Sequence, residues 1–192
     1  MTAFLVGLGY LCGSVPFGVI VTSLFAKKDV RAEGSGNIGA TNVARVAGKK
    51  LGALVLLLDA AKGSLPVLIG LQVSPTDQWL HVAIAAAAFL GHVFPVWLKF
   101  KGGKGVATAL GVVLVLLPLS AAVGFVTWVL VLAVTRTSSA GSLLGALLAI
   151  TSSFFLGSPW PYSLLGVGLF LAMLYTHRGN LERLWKHTEN RV

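Results

Sequence analysis

Residues 34–45 form the part of the chain whose side chains and spacing are best suited to binding an anion. They read GSGNIGATNVAR and combine glycines, short neutral donors and a terminal arginine within an otherwise apolar sequence. Glycine lets backbone N–H groups approach a ligand closely, and a guanidinium matches the geometry of phosphate oxygens. We therefore predict an oxyanion cradle formed by Ser35, Gly36, Asn37, Ile38, Gly39, Ala40, Thr41, Asn42 and Arg45.

Two other interpretations of this stretch compete with the cradle. Gly34, Gly36 and Gly39 match the G-x-G-x-x-G spacing of dinucleotide-binding proteins, but that fingerprint requires a preceding buried strand. Residues 27–33 read KKDVRAE, which is not the sequence of a buried strand. A flexible polar loop between helices remains the alternative, because glycine-rich turns are common in connecting segments.

A second basic, glycine-rich segment covers residues 101–108, which read KGGKGVAT and lead into an apolar run. A helix N-terminus offers free N–H groups and the positive end of its dipole, which favours a bound anion. The segment is not a Walker A loop, because Leu98 replaces the first glycine and Gly105 replaces the magnesium-binding Ser or Thr. A turn that only carries positive charge is the alternative. Two such segments on one membrane face favour phosphate binding, here by Gly102, Gly103, Lys104 and Gly105.

A third polar segment, residues 175–184, follows the last apolar run and contains His177, Arg178 and Asn180. Near neutral pH, histidine can act as an acid, as a base or as a hydrogen-bond donor to a phosphate group. A single histidine at a membrane interface is more often a solvated cap. The polar neighbours and the expected topology favour a role for His177 in the reaction.

Asp59 and Lys62 are charged residues inside an apolar run, where unpaired charge is costly. Their i,i+3 spacing puts them on one helix face, so we predict a structural ion pair that supports the site from behind. A direct catalytic role is the alternative. His92 is expected to have a supporting role, and none is assigned to His81 or His187. The chain has only six acidic residues, so we expect neither a metal site nor a cofactor.

The composition places these segments in an all-α, polytopic integral membrane protein. Of 192 residues, 56% are hydrophobic and only 11% are charged, whereas soluble domains have about 25% charged residues. The net charge of +9 does not indicate nucleic-acid binding, because the basic residues lie almost wholly between or after the apolar runs. Such positions are typical of topology signals and ligand contacts.

Seven apolar runs predict seven transmembrane helices, with the N-terminus outside and the C-terminus cytoplasmic. Pro16 and Gly18 are expected to kink the first helix. Pro118 divides one long run, whose first part is short and either crosses the membrane or is re-entrant. The predicted helices cover residues 3–25, 51–71, 79–98, 106–117, 119–135, 140–156 and 160–176.

This helix count concentrates positive charge on one membrane face. Thirteen of the fifteen Lys and Arg residues fall in three segments on that face, Arg136 joins them, and only Lys62 lies within a span. A six-helix count would export the basic tail, against the positive-inside tendency. We expect a single membrane-embedded domain over residues 1–192, with one active site formed by the polar segments 34–45, 99–108 and 177–184.

Together these segments resemble the three motifs of the bacterial acyl-phosphate:glycerol-3-phosphate acyltransferases, the PlsY family. The matching residues are SGNIGATNVAR at 35–45, GH at 91–92 through GGKGVAT at 102–108, and HRGNLERL at 177–184. Asp59, with Lys62 and the following glycine, also fits the second helix of that family. Gly179 stands where a larger polar residue is also familiar.

The resemblance implies transfer of a fatty acyl group from acyl phosphate to the 1-hydroxyl of glycerol 3-phosphate, the first acylation of phospholipid synthesis. The products are lysophosphatidic acid and phosphate. It also implies a bacterial inner-membrane enzyme with a cytoplasm-facing site, in contact with membrane lipid and without nucleic acid or a cofactor. An interaction with the upstream enzyme that makes acyl phosphate is left open.

The residues themselves fit such a reaction, because both substrates carry a phosphate. We assign the first segment, including Ser35, to acyl phosphate, and Arg45 and Lys104 to glycerol 3-phosphate, although the two assignments could be exchanged. His177, with Asn180, is the candidate for activating the hydroxyl, and a substrate phosphate is the alternative base.

Two rival functions are weighed against this hypothesis. Acyltransferases that use acyl-CoA or acyl carrier protein usually have His and Asp separated by four residues, and the nearest spacing here is His177 to Glu182. A transporter of phosphorylated small anions should show internal repeats and a midplane site. We find no repeat, and the basic residues gather at one face.

Overall fold

The computed structural model describes residues 1–191, and all regular secondary structure within that range is helical, which confirms the all-α prediction. The chain forms two compact units, Met1–Val112 and Val113–Val192. The α-helices are α1 (Thr2–Ser14), α2 (Phe17–Val21), α3 (Ala40–Ala47), α4 (Lys49–Val73), α5 (Gln78–Val93), α6 (Val106–Leu116), α7 (Pro118–Thr135), α8 (Ser138–Phe155), α9 (Trp160–Thr176) and α10 (Arg178–Trp185).

The helices of the first unit pack closely through small residues. α1 lies against α5, and α4 contacts both of them. A Cβ atom at Gly13 would collide with the Ala88 carbonyl, and one at Gly91 with the Tyr10 carbonyl. The Tyr10 hydroxyl donates a 2.7 Å hydrogen bond to Phe94 O. Close backbone approach of this kind is typical of helix packing in membranes.

The first predicted helix, residues 3–25, is interrupted at Pro16, as expected. α1 ends at Ser14 and α2 begins at Phe17, because proline has no N–H to continue the hydrogen-bond ladder. The helix then ends in a π-helical turn, Thr22–Ala26. The break leaves backbone carbonyls at this level available to side chains from neighbouring helices.

Residues 26–50 lie between the first two predicted helices and were expected to form one large loop, which is wrong for residues 40–47 because they form α3. Val43 is completely buried in a cluster with Val30, Ile38 and two further valines, and α3 also packs on α4. The apolar spacing at positions 40, 43 and 47 supplies this buried face. Tertiary packing thus stabilises a short helix whose glycine-rich surroundings indicated a loop.

The second unit is built on a close helix pair. α7 packs against α8, and a Cβ atom added at Gly145 would lie 2.5 Å from Gly124 O. α8 also contacts α9, where Ser153 Oγ donates a 2.9 Å hydrogen bond to Ser163 Oγ. The third polar segment is not a loop, since most of it forms α10.

Five helical segments are long and apolar enough to cross a membrane: Thr2–Ala26, Lys49–Val73, Gln78–Leu98, Pro118–Thr135 and Ser138–Phe155. α6 and α9 are shorter apolar helices. With 11 residues, α6 is about 16 Å long, well below the roughly 30 Å of a hydrocarbon core. The seven apolar helical segments match the predicted set. The number of crossings and the orientation remain predictions.

Candidate active site

The first glycine segment is closed by the buried side chain of Asn42. Its Nδ2 atom donates to Val30 O at 3.0 Å and to Glu33 O at 3.1 Å, and its Oδ1 atom accepts from Ser35 N at 2.8 Å. These three bonds tie the beginning of the segment to α3. Asn42 therefore shapes the cradle from within, while Ser35 is exposed on its surface.

Glycine is required twice at the start of this cradle. Gly34 and Gly36 have φ values of 61° and 70°, in the left-handed region that glycine adopts without a Cβ penalty. Asn37 Oδ1 then accepts a 2.8 Å hydrogen bond from Gly39 N, and α3 begins at the next residue. The segment therefore leads directly into a helix N-terminus, whose first N–H groups have no acceptor within the helix.

Two ion pairs lie at the rim of the cradle. Lys28 Nζ is 3.0 Å from Glu33 Oε2 and also donates to Val46 O at 3.2 Å. Hydrogen bonds from the Arg31 side chain and backbone lower the pKa of Asp29 to about 2. Both pairs are about half exposed, so solvent screens them and each contributes little to stability. Their main effect is on charge: each carboxylate neutralises one basic side chain, so the rim is less positive than its lysines and arginines alone would make it.

The second glycine segment is fixed by backbone hydrogen bonds to the end of α5. Gly102 N donates to Val93 O and Gly103 N to His92 O, both at 3.1 Å. The preceding Lys99 and Phe100 have φ values of 52° and 61°. A left-handed conformation costs a residue with a side chain about 1–2 kcal/mol. The fold therefore maintains a strained turn immediately before the glycines.

A buried ion pair lies behind this turn. Lys62 Nζ is 2.9 Å from Asp59 Oδ1, and it also donates a 2.7 Å hydrogen bond to Val15 O at the break between α1 and α2. His92 Nδ1 lies 3.8 Å from the same carboxylate oxygen, and all three side chains are at least 95% buried. The predicted ion pair is present, and it joins α4 to the first helix break and to the residue that holds Gly103.

The side chains of His92 and Phe89 pack so closely against the glycine turn that no side chain fits there. A Cβ atom at Gly103 would collide with His92 Nε2, and one at Gly105, where φ is 84°, would collide with the Phe89 ring. Thr108, one turn into α6, is fully buried and approaches Gly63 of α4 closely. These contacts explain why the segment requires glycine at positions where a side chain could otherwise have contributed to binding.

The two glycine segments lie at the same end of the first unit. Leu98, which precedes the second segment, packs against the cluster that contains Val30 and Ile38 of the first. Arg45 and Lys104 are half-buried, and each interacts with other residues of the chain. Within residues 1–191, no three His, Cys, Asp or Glu side chains are grouped as a metal site would require.

The third segment belongs to the second unit, where His177 is 2% exposed at the junction of α9 and α10. Its Nδ1 atom lies 2.8 Å from Met173 O. Because a carbonyl can only accept, Nδ1 carries the hydrogen, and in the neutral ring Nε2 is then the basic nitrogen. In this tautomer Nε2 carries no hydrogen and can accept a proton.

Sequence reasoning missed Glu189, which is central to the third segment. Its Oε1 atom accepts from Asn180 Nδ2 at 2.6 Å and from Ser139 Oγ at 3.0 Å, and its Oε2 atom accepts from Arg183 Nε at 2.8 Å. Partial burial raises the pKa of Glu189, but the hydrogen bonds from Asn180, Arg183 and Ser139 outweigh it and leave the pKa below its usual value. The scarcity of acidic residues was the only sequence signal that could have singled it out.

Known proteins resemble this chain along its whole length. The family model described as glycerol-3-phosphate acyltransferase matches residues 3–187. The glycerol-3-phosphate acyltransferase of Myxococcus xanthus is 56% identical over 191 residues, which cover 100% of both chains. That of Anaeromyxobacter dehalogenans is 49% identical over 194 residues, which cover 99% of this chain and 96% of the relative.

Two crystal structures of PlsY (YgiH), an integral membrane glycerol 3-phosphate acyltransferase, share the fold. The glycerol 3-phosphate form has a TM-score of 0.95 and 40% identity, covering 100% of this chain and 95% of that chain. The lysophosphatidic acid form has a TM-score of 0.92 and 39% identity, covering 99% and 94%. The likeness therefore includes all three polar segments.

Proposed function

This chain belongs to the glycerol-3-phosphate acyltransferase family, and we propose that its acyl donor is acyl phosphate and its acceptor the 1-hydroxyl of sn-glycerol 3-phosphate. It is a multi-pass membrane acyltransferase of phospholipid synthesis. Membership of this family sets aside the transporter alternative. The proposed products are lysophosphatidic acid and inorganic phosphate.

The observation that carries the proposal is the meeting of two glycine-rich segments at one end of the first unit. Each segment leads into a helix N-terminus, where free N–H groups and the helix dipole favour an anion. A reaction between two phosphate-bearing substrates needs two such sites close together. The PlsY structures with glycerol 3-phosphate and lysophosphatidic acid support one of them being for the acceptor.

In the proposed reaction, the 1-hydroxyl oxygen attacks the acyl carbonyl carbon, and a carbon–oxygen ester bond forms. The bond between that carbon and the phosphate oxygen breaks, and phosphate leaves with the electron pair. The hydroxyl proton goes either to His177 Nε2 or to a phosphate oxygen. Because acyl phosphate is a mixed anhydride with a good leaving group, orientation and charge stabilisation are sufficient without a covalent intermediate.

The proposed roles divide between the segments. The exposed hydroxyl of Ser35 and the N–H groups at the start of α3 would stabilise the acyl phosphate and its developing oxyanion. Arg45, Lys104 and the turn at residues 102–105 would hold glycerol 3-phosphate, although an exchange of the two phosphates fits the chemistry equally well. Asn180 would orient the acceptor together with His177.

We further propose that the enzyme lies in a bacterial inner membrane with its active site facing the cytoplasm. The positive charge of the polar segments supports this orientation, and glycerol 3-phosphate would then arrive from the cytoplasm while the acyl chain stays among the helices. The enzyme that makes acyl phosphate is an expected upstream partner, because this donor is reactive and amphiphilic.

Phosphate release by the purified protein in detergent tests the donor. The protein would be supplied with glycerol 3-phosphate and either palmitoyl phosphate or palmitoyl-CoA, and lysophosphatidic acid would be measured in parallel. We expect product with palmitoyl phosphate only, in a one-to-one ratio with phosphate. Product with palmitoyl-CoA alone would overturn the donor assignment and leave the acyltransferase activity intact.

A further inference from the structure

A pocket of about 360 Å³ lies at the surface of the first unit, at the end that holds the glycine segments. It is called here the cationic pocket, and its lining consists of Arg31, Trp97, Leu98, Lys99 and Lys101. Lys99 and Lys101 belong to the polar segment 99–108, but the proposed reaction assigns no individual role to any of these five side chains.

The charges of the cationic pocket fit a phosphate group. Within residues 1–191, the side chains of Lys99 and Lys101 have no ion-pair partner and are exposed. Arg31 binds Asp29 through its Nε and Nη2 atoms at 2.9 and 2.8 Å. This pair orients the guanidinium and leaves the lining with three cations against one neighbouring carboxylate. The surplus of positive charge would attract an anion of low charge, such as a phosphodiester.

The apolar part of the same surface points to an amphiphile. Trp97 is 62% exposed and Phe100 is 58% exposed, and both lie in the short loop that follows α5. Residues up to Leu98 belong to a segment that is apolar and long enough to cross a membrane. Trp side chains at the end of such a segment lie at the level of the lipid headgroups. A soluble phosphate would gain nothing from these exposed rings, whereas a lipid would.

We propose that the cationic pocket binds the headgroup phosphate of an anionic phospholipid, with Trp97 against its glycerol and upper acyl region. The loop is suited to this role because it is rigid: Leu98 N and Phe100 N both donate to Pro95 O, at 3.1 and 3.0 Å. Lys101 is followed directly by Gly102, which is bonded to the end of α5. A lipid in the pocket would therefore hold the second glycine segment at the depth of the membrane surface.

Brominated phosphatidylglycerol, which quenches tryptophan fluorescence on contact, provides the test. The protein would be reconstituted in phosphatidylcholine vesicles containing increasing fractions of the brominated lipid. The chain has five tryptophans, so we expect a saturable component of the quenching that Trp97→Phe removes, above a background from the other four. In the double variant Lys99→Gln/Lys101→Gln, half-saturation should require about 25-fold more anionic lipid, since each basic residue near the surface contributes about a factor of five.

The double variant Lys49→Gln/Lys50→Gln is the matched control, because both lysines are exposed on the same unit but do not line the pocket. Its half-saturation should change less than twofold. Equal quenching by brominated phosphatidylcholine, whose headgroup phosphate is neutralised by choline, would overturn the proposal, since the pocket would then show no selectivity for a net anionic headgroup. Displacement of the lipid by inorganic phosphate or glycerol 3-phosphate would also overturn it and identify a site for soluble anions. The readout is binding, so it does not depend on the acyl donor proposed above.

Discussion

The glycine segments of the first unit and the polar segment of the second are held in place by different interactions. In the first unit, backbone hydrogen bonds from Gly102 and Gly103 and the buried Asp59–Lys62 pair fix the turn. In the second unit, the carboxylate of Glu189 collects donors from α8 and α10. The first arrangement has little space to adjust, whereas the second depends on one titratable side chain.

This difference predicts how each region responds to substitution. A region framed by backbone contacts should fail when a methyl group is added, because a carbonyl or a packed ring cannot move aside. A region framed by a carboxylate should respond to charge and pH while tolerating changes in shape.

Replacement of His177 by Gln should give the largest loss of activity. If Nε2 accepts the hydroxyl proton, kcat should fall by about 10² to 10⁴-fold, the usual contribution of general base catalysis. Gln retains a polar side chain of similar size, so the folded protein is expected to survive, and kcat and KM would be measured with palmitoyl phosphate.

His92→Gln is the matched control for this experiment, because His92 is a buried histidine of the first unit that contacts the turn from behind. It should alter the KM of a substrate more than kcat. Turnover close to that of the parent in His177→Gln would show that a substrate phosphate takes the proton.

Removal of Asp59 should destabilise the first unit severely. Asp59→Ala leaves the buried Lys62 ammonium without its carboxylate, a change that costs about 3–5 kcal/mol. Thermal unfolding in detergent should therefore show a midpoint lower by about 10 °C. The double variant Asp59→Leu/Lys62→Met removes both charges and should recover most of the loss.

An exposed ion pair of the second unit provides the contrast. Lys186 Nζ lies 2.6 Å from Glu182 Oε1, but both side chains are more than 60% exposed. Glu182→Ala should cost less than about 1 kcal/mol. If Glu182→Ala and Asp59→Ala lowered the stability equally, burial would not make the Asp59–Lys62 pair more important for stability than an exposed pair.

Gly103→Ala should disrupt the second glycine segment by adding one methyl group. Its Cβ would collide with His92 Nε2, and overpacking of this kind costs about 1–3 kcal/mol. We expect catalytic efficiency to fall by about tenfold or more, measured as kcat/KM for glycerol 3-phosphate. Combining the substitution with His92→Ala makes room for the methyl group and should restore part of the activity.

Gly7→Ala is the control, because Gly7 lies in α1 and a Cβ there would meet nothing within 4 Å. This variant should retain full activity. If Gly103→Ala were equally harmless, the turn would have to be more adjustable than its backbone bonds indicate.

The sequence was sufficient to predict the helices that follow from long apolar runs. Pro16 and Pro118 mark their breaks correctly, and the i,i+3 spacing predicts the Asp59–Lys62 pair, because apolar length and helical periodicity are local properties. α3 was missed, since its stability comes from packing Val43 into a cluster assembled from distant parts of the first unit.

The interactions of the candidate site were harder to predict. Asn42 was expected to face the substrate, but its amide is used to close the loop. Glu189 was overlooked because its partners Ser139 and Asn180 are 50 and 9 residues away. Residue type indicates that a side chain can bind an anion, but only the tertiary structure decides whether another part of the chain already uses it.

Glu189→Gln should have the smallest effect and should depend on pH. A Gln side chain can still accept from Asn180 and Ser139, but it loses the charge that faces Arg183. We expect a loss of about 1.5 kcal/mol at neutral pH, the low end for a hydrogen bond to a charged group, because Arg183 is partly exposed. Glu182→Gln, on the exposed side of the same region, is the control and should change stability very little.

The pH dependence has a definite sign. The pKa of Glu189 is lower in the folded protein than its usual 4.5, so its stabilising effect is complete above that pH and is lost as the pH falls through the folded value. The thermal midpoints of parent and Glu189→Gln should therefore converge in acid. Asp29 also has a lowered pKa, but it titrates in both proteins and cancels in the comparison. If the two thermal midpoints differed by the same amount at every pH, Glu189 would act through packing and not through its charge. The second unit would then not differ from the first in its response to pH.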